Sequence, residues 1–249
     1  DPKGEIYEAT AATLRKRGYT VYRFDLTDPT KSQRWNPLAL IASFIAKGGA
    51  YETKGRIMLK EVIEVLKAGI HSNYDSFWEQ IAADIVYGVA LTILKEGSPE
   101  DLTFRNLEMN IRKIFDNIPA FDEYYDRMDD DSPIKGYLSA LRSDEDSNRT
   151  VFSLKIETKT LLSPFCTDDK LLSLFDSNTI DVTTLGKEKV ALFLIISDSS
   201  KSMYPIATVF IRQLYAVLLE EAASNFNKIL KVPVFFILDE FANFTRLPD

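Results

Sequence analysis

The order of apolar and polar residues divides the chain into two α/β ends and a helical middle. At the amino-terminal end, helical spacing runs to Arg17, and Gly18 is a natural stop signal. Residues 20–26 are rich in β-branched and aromatic side chains, which predicts a strand. Helix and strand in succession are typical of a sheet domain covered by helices.

Every strong pattern between residues 46 and 148 is helical. Apolar residues recur at helical spacing in four segments, residues 57–70, 77–94, 103–115 and 133–141. We expect four aromatic residues to build the core of this bundle, namely Trp78, Tyr87, Phe104 and Phe115. The acidic run at residues 122–131 predicts a solvated loop, with a docking patch as the alternative.

Beyond residue 148 the pattern returns to alternating helices and strands. Helices are predicted at residues 149–162, 168–175 and 204–225, and a fully buried strand at residues 190–196. A third apolar run, residues 232–238, contains five consecutive apolar residues and predicts a strand buried on both faces. Both ends must then combine into one sheet, because neither alone can cover its faces.

Two acids, Asp239 and Glu240, follow the third predicted strand. Open parallel sheets bind ligands at the carboxyl ends of their strands. In nucleotide-hydrolysing folds, an acid in the first position holds Mg²⁺, and an acid in the second polarises the attacking water. The alternative is a buried strand that ends in a solvated turn.

A phosphate-binding loop is missing. The Walker A pattern needs Gly-x-x-x-x-Gly-Lys-Ser/Thr, and none of the ten glycines provides it. Gly186 and Lys187 come nearest, but Glu188 follows them. The chain is therefore either unrelated to P-loop proteins or a piece of one. The absence of an initiator Met, and an end nine residues beyond Glu240, favour a piece.

Composition excludes several kinds of site. A single cysteine, Cys166, rules out an internal disulfide and suits a reducing compartment. With His71 as the only histidine, His-based metal clusters and Ser-His-Asp triads are not expected. No stretch reaches the roughly 20 apolar residues of a membrane span, so we expect a soluble piece, although a membrane anchor could precede it.

The net charge of −7 comes from the middle of the chain. Residues 46–150 hold 13 basic and 20 acidic residues, whereas the two flanks together hold 17 of each. An acidic middle argues against a broad duplex-DNA footprint there, since phosphates attract positive charge. It fits a basic protein partner, or a solvated surface.

Several segments, in order along nearly the whole chain, resemble one family. They are Asp-Pro-Lys-Gly-Glu at 1–5, Gly-Tyr-Thr-Val-Tyr at 18–22, Arg-Trp-Asn-Pro-Leu at 34–38, Phe-Trp-Glu at 77–79, Leu-Gly-Lys-Glu-Lys at 185–189 and Leu-Asp-Glu-Phe-Ala-Asn at 238–243. This set is similar to type IV secretion coupling proteins, the TraG/TraD-type conjugative ATPases, with the last segment as their Walker B signature.

The resemblance implies an α/β fold, a partial RecA-like P-loop NTPase core with an inserted all-alpha domain. The nucleotide-binding domain would comprise residues 1–45 and 151–249, and the all-alpha domain residues 46–150. The family works as a membrane-anchored homo-hexamer on the cytoplasmic face, and uses ATP and Mg²⁺ to pass DNA and protein into the secretion channel. Relaxase or relaxosome proteins are its usual substrates. Without Walker A, we expect this chain alone to be inactive.

The resemblance also implies roles for individual residues. Asp239 would hold Mg²⁺, directly or through water, and Glu240 would orient the lytic water. Four residues are assigned a place near the nucleotide, namely Asp1, Lys3, Glu5 and Asp198. Helix capping is the alternative for Asp1 and Glu5. Five residues are candidates for substrate recognition, namely Trp78, Glu79, Asp129, Asp130 and Asp131.

Alternative interpretations of these residues and of the chain's function stay open. Trp78 lies on an apolar helical face, so a core role competes with recognition. The chain could be a relaxase-binding module without catalysis of its own, or part of a chromosomal DNA translocase. Exposed Lys and Arg of the flanks could contact DNA in a hexamer, but no basic–aromatic cluster is evident in the sequence.

Overall fold

The computed structural model describes residues 1, 3–69, 76–142, 148–197 and 201–238. The chain forms two compact units. We call Asp1–Pro37 together with Asp168–Asp249 the sheet unit, and Leu38–Thr167 the helical unit. The helical unit is wider than the predicted insert at 46–150, because helices on both sides of that segment pack against its interior helices.

The sheet unit contains a parallel pair of strands with helices around it. Its elements are α1 (Glu5–Lys16), β1 (Thr20–Asp25), α9 (Asp169–Ser173), β2 (Val190–Ile195) and α10 (Tyr204–Ser224). The strands β1 and β2 pair in parallel, from Thr20 opposite Val190 to Asp25 opposite Ile195. The predicted mixed α/β class is confirmed, as are the stop at Gly18, whose φ is 80°, and both of these strands.

Three aromatic rings form the centre of the sheet unit. Phe24 of β1 lies 5.5 Å from Trp35 and 4.8 Å from Phe210 of α10, and Trp35 lies 4.6 Å from Phe210, all between ring centroids. All three side chains are buried. Gln213 donates a hydrogen bond of 2.6 Å to the carbonyl of Pro37. These contacts hold α10 against one face of the sheet.

The predicted third strand is absent from the described residues. Residues 233–238 have no regular secondary structure, and the sheet has two strands within the described ranges. The prediction of a fully buried second strand is also wrong, because five of the six residues of β2 are half-buried and Ile195 alone is buried. A strand needs a ladder partner, and the second edge of β2 carries none within the described part of the chain.

The helical unit is a bundle arranged around its longest apolar helix. Its helices are α2 (Ala39–Lys47), α3 (Gly49–Ala68), α4 (Ser76–Glu96), α5 (Phe104–Asp116), α6 (Ile118–Asp126), α7 (Pro133–Leu138) and α8 (Asn148–Leu162). The helix α4 contacts α3, α5, α7 and α8. Tyr87, Phe104 and Phe115 are buried as predicted, whereas Trp78 is half-buried.

Part of the predicted acidic loop is helical. The helix α6 includes Asp122 and Asp126, and the Asn117 side chain caps it by accepting a hydrogen bond of 3.2 Å from Ala120 N. Phe121 and Tyr125, four residues apart, are both buried. This single apolar stripe is enough to hold a short helix against the bundle, in spite of its acids.

Two helices are long and apolar enough to cross a membrane, judged by length and composition alone. They are Phe77–Glu96 in α4 and Lys201–Ser224, which includes α10, each with a mean hydropathy of 1.3. The prediction that no stretch reaches this length is therefore wrong. More than half of each apolar window, 56% and 61%, is buried inside the protein, as is usual for core helices.

Candidate functional site

The candidate site is the edge of the sheet where β1 and β2 end. Asp25 and Ile195, the last residues of the two strands, lie opposite each other. Three of the predicted site residues, Asp198, Asp239 and Glu240, lie outside the described residues. The assignment of a Mg²⁺ ligand and a water-polarising acid therefore stays a prediction.

The apolar run that leads to Asp239 begins beside the turn that precedes β2 within the sheet unit. Val232 N donates a hydrogen bond of 2.8 Å to the carbonyl of Gly186, in the turn before β2. Side-chain exposure then alternates, with Phe235 and Ile237 at 85% and 84%, and Phe236 and Leu238 at 42% and 46%. Alternation of this kind is typical of extended backbone with one side against the protein.

A cavity of about 650 Å³ opens between this run, β2 and α10. Its apolar lining includes Leu192 and Leu194 of β2, and Leu214 and Leu218 of α10. No Lys or Arg lines it within the described part of the chain. Because a triphosphate needs cationic groups and backbone N–H donors, this cavity does not fit the phosphates of a nucleotide.

Asp1 connects α1 with the carboxyl end of β2. Its carboxylate accepts hydrogen bonds from Ile6 N at 3.3 Å and Tyr7 N at 2.9 Å, and its amino group donates to the Leu194 carbonyl at 3.4 Å. These bonds satisfy amides of the first turn, which is the capping role considered as the alternative.

Lys3 and Glu5 are both exposed, and Glu5 lies in the first turn of α1. An acid at the amino end of a helix interacts favourably with the helix dipole, whether or not a ligand is present. A place near the nucleotide stays a prediction for Asp1, Lys3 and Glu5.

Asp25, which the sequence analysis did not single out, is the most constrained acid among the described residues at this edge. It is 1% exposed. Its Oδ1 accepts from Thr27 N, Thr27 Oγ1 and Asp28 N at 2.6–2.9 Å, and its Oδ2 accepts from Arg23 Nη2 at 2.6 Å. Burial opposes its ionisation, but the bonds from Thr27 and Arg23 outweigh burial and lower the pKa of Asp25 below its ordinary value.

Asp25 therefore secures the end of β1 and has no oxygen left for a metal ion. The signal for it was an acid followed by Thr27 and Asp28, a pattern typical of a side chain that closes a turn on itself. More generally, the described residues include no group of three His, Cys, Asp or Glu side chains that could hold a metal ion.

The predicted recognition residues lie in two separate places on the helical unit. Trp78 and Glu79 are half-buried in the first turn of α4, where Trp78 packs edge-on against Phe77 at 5.4 Å. At the other end of α4, Glu96 accepts a hydrogen bond of 2.6 Å from Tyr124 of α6. Trp78 and Glu96 are about 27 Å apart along the helix axis.

The acidic turn follows α6, near that far end of α4. Asp129, Asp130 and Asp131 are all exposed. Asp130 forms an ion pair with Lys135, which lowers the pKa of Asp130, and Lys135 also donates to the Met128 carbonyl at 3.1 Å. The two sets of candidate recognition residues therefore lie at different places on the helical unit, and their role in recognition stays a prediction.

Comparison with known protein families identifies a family that matches this chain. The family described as type IV secretory system conjugative DNA transfer matches residues 1–249. The match covers both units, so the sheet unit and the helical unit belong to one family region. No curated protein matches the chain.

Proposed function

Because the chain belongs to the type IV secretory system conjugative DNA transfer family, we propose that it supplies the acidic half of an ATPase site that drives this transfer. Membership places the chain in conjugative DNA transfer, with DNA and secretion-system components as partners and an association with membrane machinery. The observation that carries the proposal is the family match over the full chain, together with Asp239 and Glu240 at the end of its last apolar run.

The proposed ATPase site divides its work between two neighbouring carboxylates. Carboxylate oxygens are the ligands that Mg²⁺ prefers, so the chemistry of Asp239 and Glu240 suits ATP with Mg²⁺. ATP would supply the phosphoryl group that is hydrolysed. The loop that binds the phosphates of ATP would come from a part of the protein outside this sequence. Asp239 would hold the metal, and Glu240 would orient water, since successive side chains of extended backbone point in opposite directions.

The overall assembly is also part of the proposal. The sheet unit would be a segment of a RecA-like core, in keeping with its parallel strands and covering helices. Six copies would form a ring on the cytoplasmic face of the membrane, next to the secretion channel. In this arrangement Asp1, Lys3, Glu5 and Asp198 would lie near the nucleotide.

A second candidate function is substrate recognition by the helical unit without catalysis. Residues 38–167 hold 15 basic and 21 acidic residues, and the exposed turn at Asp129–Asp131 concentrates three of the acids. Such a surface suits a basic protein such as a relaxase or a relaxosome component. Half-buried Trp78 and Glu79 would form a separate contact at the other end of α4.

ATP turnover of the protein that carries the phosphate-binding loop tests the catalytic proposal. Glu240→Gln should bind ATP as the unchanged protein does and lose hydrolysis, because only the water-orienting group is removed. Glu188→Gln, an exposed acid of the sheet unit, is the matched control and should keep full turnover. Normal hydrolysis by Glu240→Gln would remove that residue from the proposed role.

The 249-residue chain alone provides a second test. We expect no ATP hydrolysis above background from it, because its sequence lacks the pattern that cradles phosphates. Turnover that Glu240→Gln abolishes in this chain would show that the loop is dispensable, and would overturn the idea of a divided site.

A further inference from the structure

A basic and aromatic cluster lies where α2 meets α3. Phe44 of α2 and Tyr51 of α3 are seven positions apart, and their ring centroids are 5.9 Å apart. Gly48 and Gly49, with φ of 70° and 59°, make the turn that brings the rings together. Left-handed backbone of this kind favours glycine, so the turn is built into the sequence.

Two lysines complete the cluster. Lys47 Nζ lies 5.1 Å from the centroids of both rings, and Lys54 Nζ lies 4.9 Å from that of Phe44. Phe44 is 5% exposed and fixes the cluster to the core, whereas Tyr51 is 48% exposed. We call these four residues, Phe44, Lys47, Tyr51 and Lys54, the basic–aromatic corner.

The local charge is opposite to that of the rest of the helical unit. Residues 39–60 contain four basic residues and one acid, a net charge of +3, whereas residues 61–167 contain 11 basic and 20 acidic residues, a net charge of −9. The one acid, Glu52, is held by Arg56 at 2.7 Å. A negatively charged polymer would therefore be attracted to this corner and repelled by the remainder of the unit.

We propose that the basic–aromatic corner binds single-stranded nucleic acid, with a base stacked on Tyr51 and backbone phosphates near Lys47 and Lys54. The proposal rests on the proposed function and assigns a place on the helical unit to the transferred strand. Exposed aromatic rings flanked by cations bind unpaired bases regardless of their identity. An acidic protein segment would use the lysines but would gain nothing from a ring face, and a duplex keeps its bases stacked away from Tyr51.

The sequence alone did not reveal this cluster. Phe44 and Tyr51 are separated along the chain by six residues that include Lys47 and a glycine pair, and the unit as a whole is acidic. Only the reversal of chain direction at Gly48 and Gly49 places the two rings and two ammonium groups together.

Fluorescence anisotropy of a labelled oligothymidylate, about 20 nucleotides long to exceed a typical single site, tests the proposal on the 249-residue chain. Tyr51→Leu keeps an apolar side chain but removes the ring, and should weaken binding about fivefold or more. Tyr51→Phe keeps the ring and should bind as the unchanged chain does. Thermal melting of each variant checks that its fold is retained.

Removal of one charge gives an independent readout. Lys47→Gln should reduce the slope of log affinity against log salt by about 0.7, the value for one lost phosphate contact on a single strand. Lys113→Gln, at an exposed lysine in the last turn of α5, is the matched control and should leave the slope unchanged. This measurement decides the question even if Tyr51→Leu fails to fold.

Three results would overturn the proposal. They are absence of oligothymidylate binding by the unchanged chain, equal binding by Tyr51→Leu and Tyr51→Phe, and equal salt slopes for Lys47→Gln and Lys113→Gln. A fourth result, polyglutamate binding as tight as that of oligothymidylate, would also overturn it and would point to an acidic protein partner. None of these results affects the ATPase proposal, which is judged by Glu240→Gln turnover.

Discussion

Replacement of Asp25 by Asn should destabilise the sheet unit through a small number of identified hydrogen bonds. Asp25 Oδ2 accepts hydrogen bonds from Arg23 Nη2 at 2.6 Å and from Arg23 Nε at 3.1 Å. Its Oδ1 accepts hydrogen bonds from the backbone N–H groups of Thr27 and Asp28. Asn keeps one acceptor oxygen, so the amides of Thr27 and Asp28 can stay satisfied. Its NH₂ group would then face the guanidinium of Arg23, donor against donor.

The magnitude follows from burial. Loss of a hydrogen bond to a buried charged group costs about 1.5–3 kcal/mol. The Arg23 side chain is 17% exposed and also contacts Glu8 at 3.3 Å, so water and Glu8 offset part of the loss. We therefore expect Asp25→Asn to lower the free energy of unfolding by about 2 kcal/mol, near the lower end of that range.

Glu8→Gln is the matched comparison, because it removes the exposed acid beside the same arginine. The Glu8 side chain is 72% exposed, so its loss should change the free energy of unfolding by less than about 1 kcal/mol. Urea denaturation followed by circular dichroism measures both variants. Equal destabilisation by Asp25→Asn and Glu8→Gln would refute the reasoning from burial.

The pH dependence of stability gives the same prediction a second readout. The pKa of Asp25 is lower in the folded protein than its ordinary value of 3.8. Stability from this group is therefore fully present above about pH 4, and is lost as pH falls from there through the folded pKa. Asp25→Asn should have a shallower loss of stability in acid than the unchanged chain.

Two further predictions concern the helical unit. A Cβ at Gly88 would lie 2.8 Å from Leu138 Cδ2, so Gly88→Ala should force α4 and α7 apart and cost about 1–3 kcal/mol in thermal melts. A Cβ at Gly136 would have no atom within 4 Å, so Gly136→Ala should be neutral or stabilising. A greater loss of stability in Gly136→Ala than in Gly88→Ala would contradict this packing. Burial and the bond to Glu96 raise the pKa of Tyr124 to about 12. Tyr124→Phe should therefore remove a phenol that titrates near pH 12 from an ultraviolet titration, and an unchanged curve would count against that environment.

Local sequence pattern was sufficient for most helices and for the two observed strands. In α5 the buried residues Phe104, Leu107, Ile111 and Phe115 repeat at helical spacing, and this regularity is visible without knowledge of neighbours. The helix α6 was missed because its acids concealed an apolar stripe of two residues, Phe121 and Tyr125.

Features that depend on partners distant in the chain could not be predicted in the same way. Residues 232–238 have the composition of a buried strand, but a strand forms only against an edge that supplies its hydrogen bonds. The basic–aromatic corner depends on the turn at Gly48, and the position of Asp25 depends on Arg23 and Thr27 folding onto it. In each case the residue types indicated what kind of feature to expect, but the spacing along the chain did not show which residues would be neighbours in the fold.

DNA transfer between cells tests the central claim most directly. Donor cells whose only copy of the protein carries Glu240→Gln should lose conjugative transfer, whereas donors with Glu188→Gln should transfer DNA at the unchanged frequency. Equal accumulation of both variants, measured by immunoblot, is the necessary control. Transfer at the unchanged frequency from Glu240→Gln donors would contradict the proposal that ATP hydrolysis assisted by Glu240 drives DNA transfer.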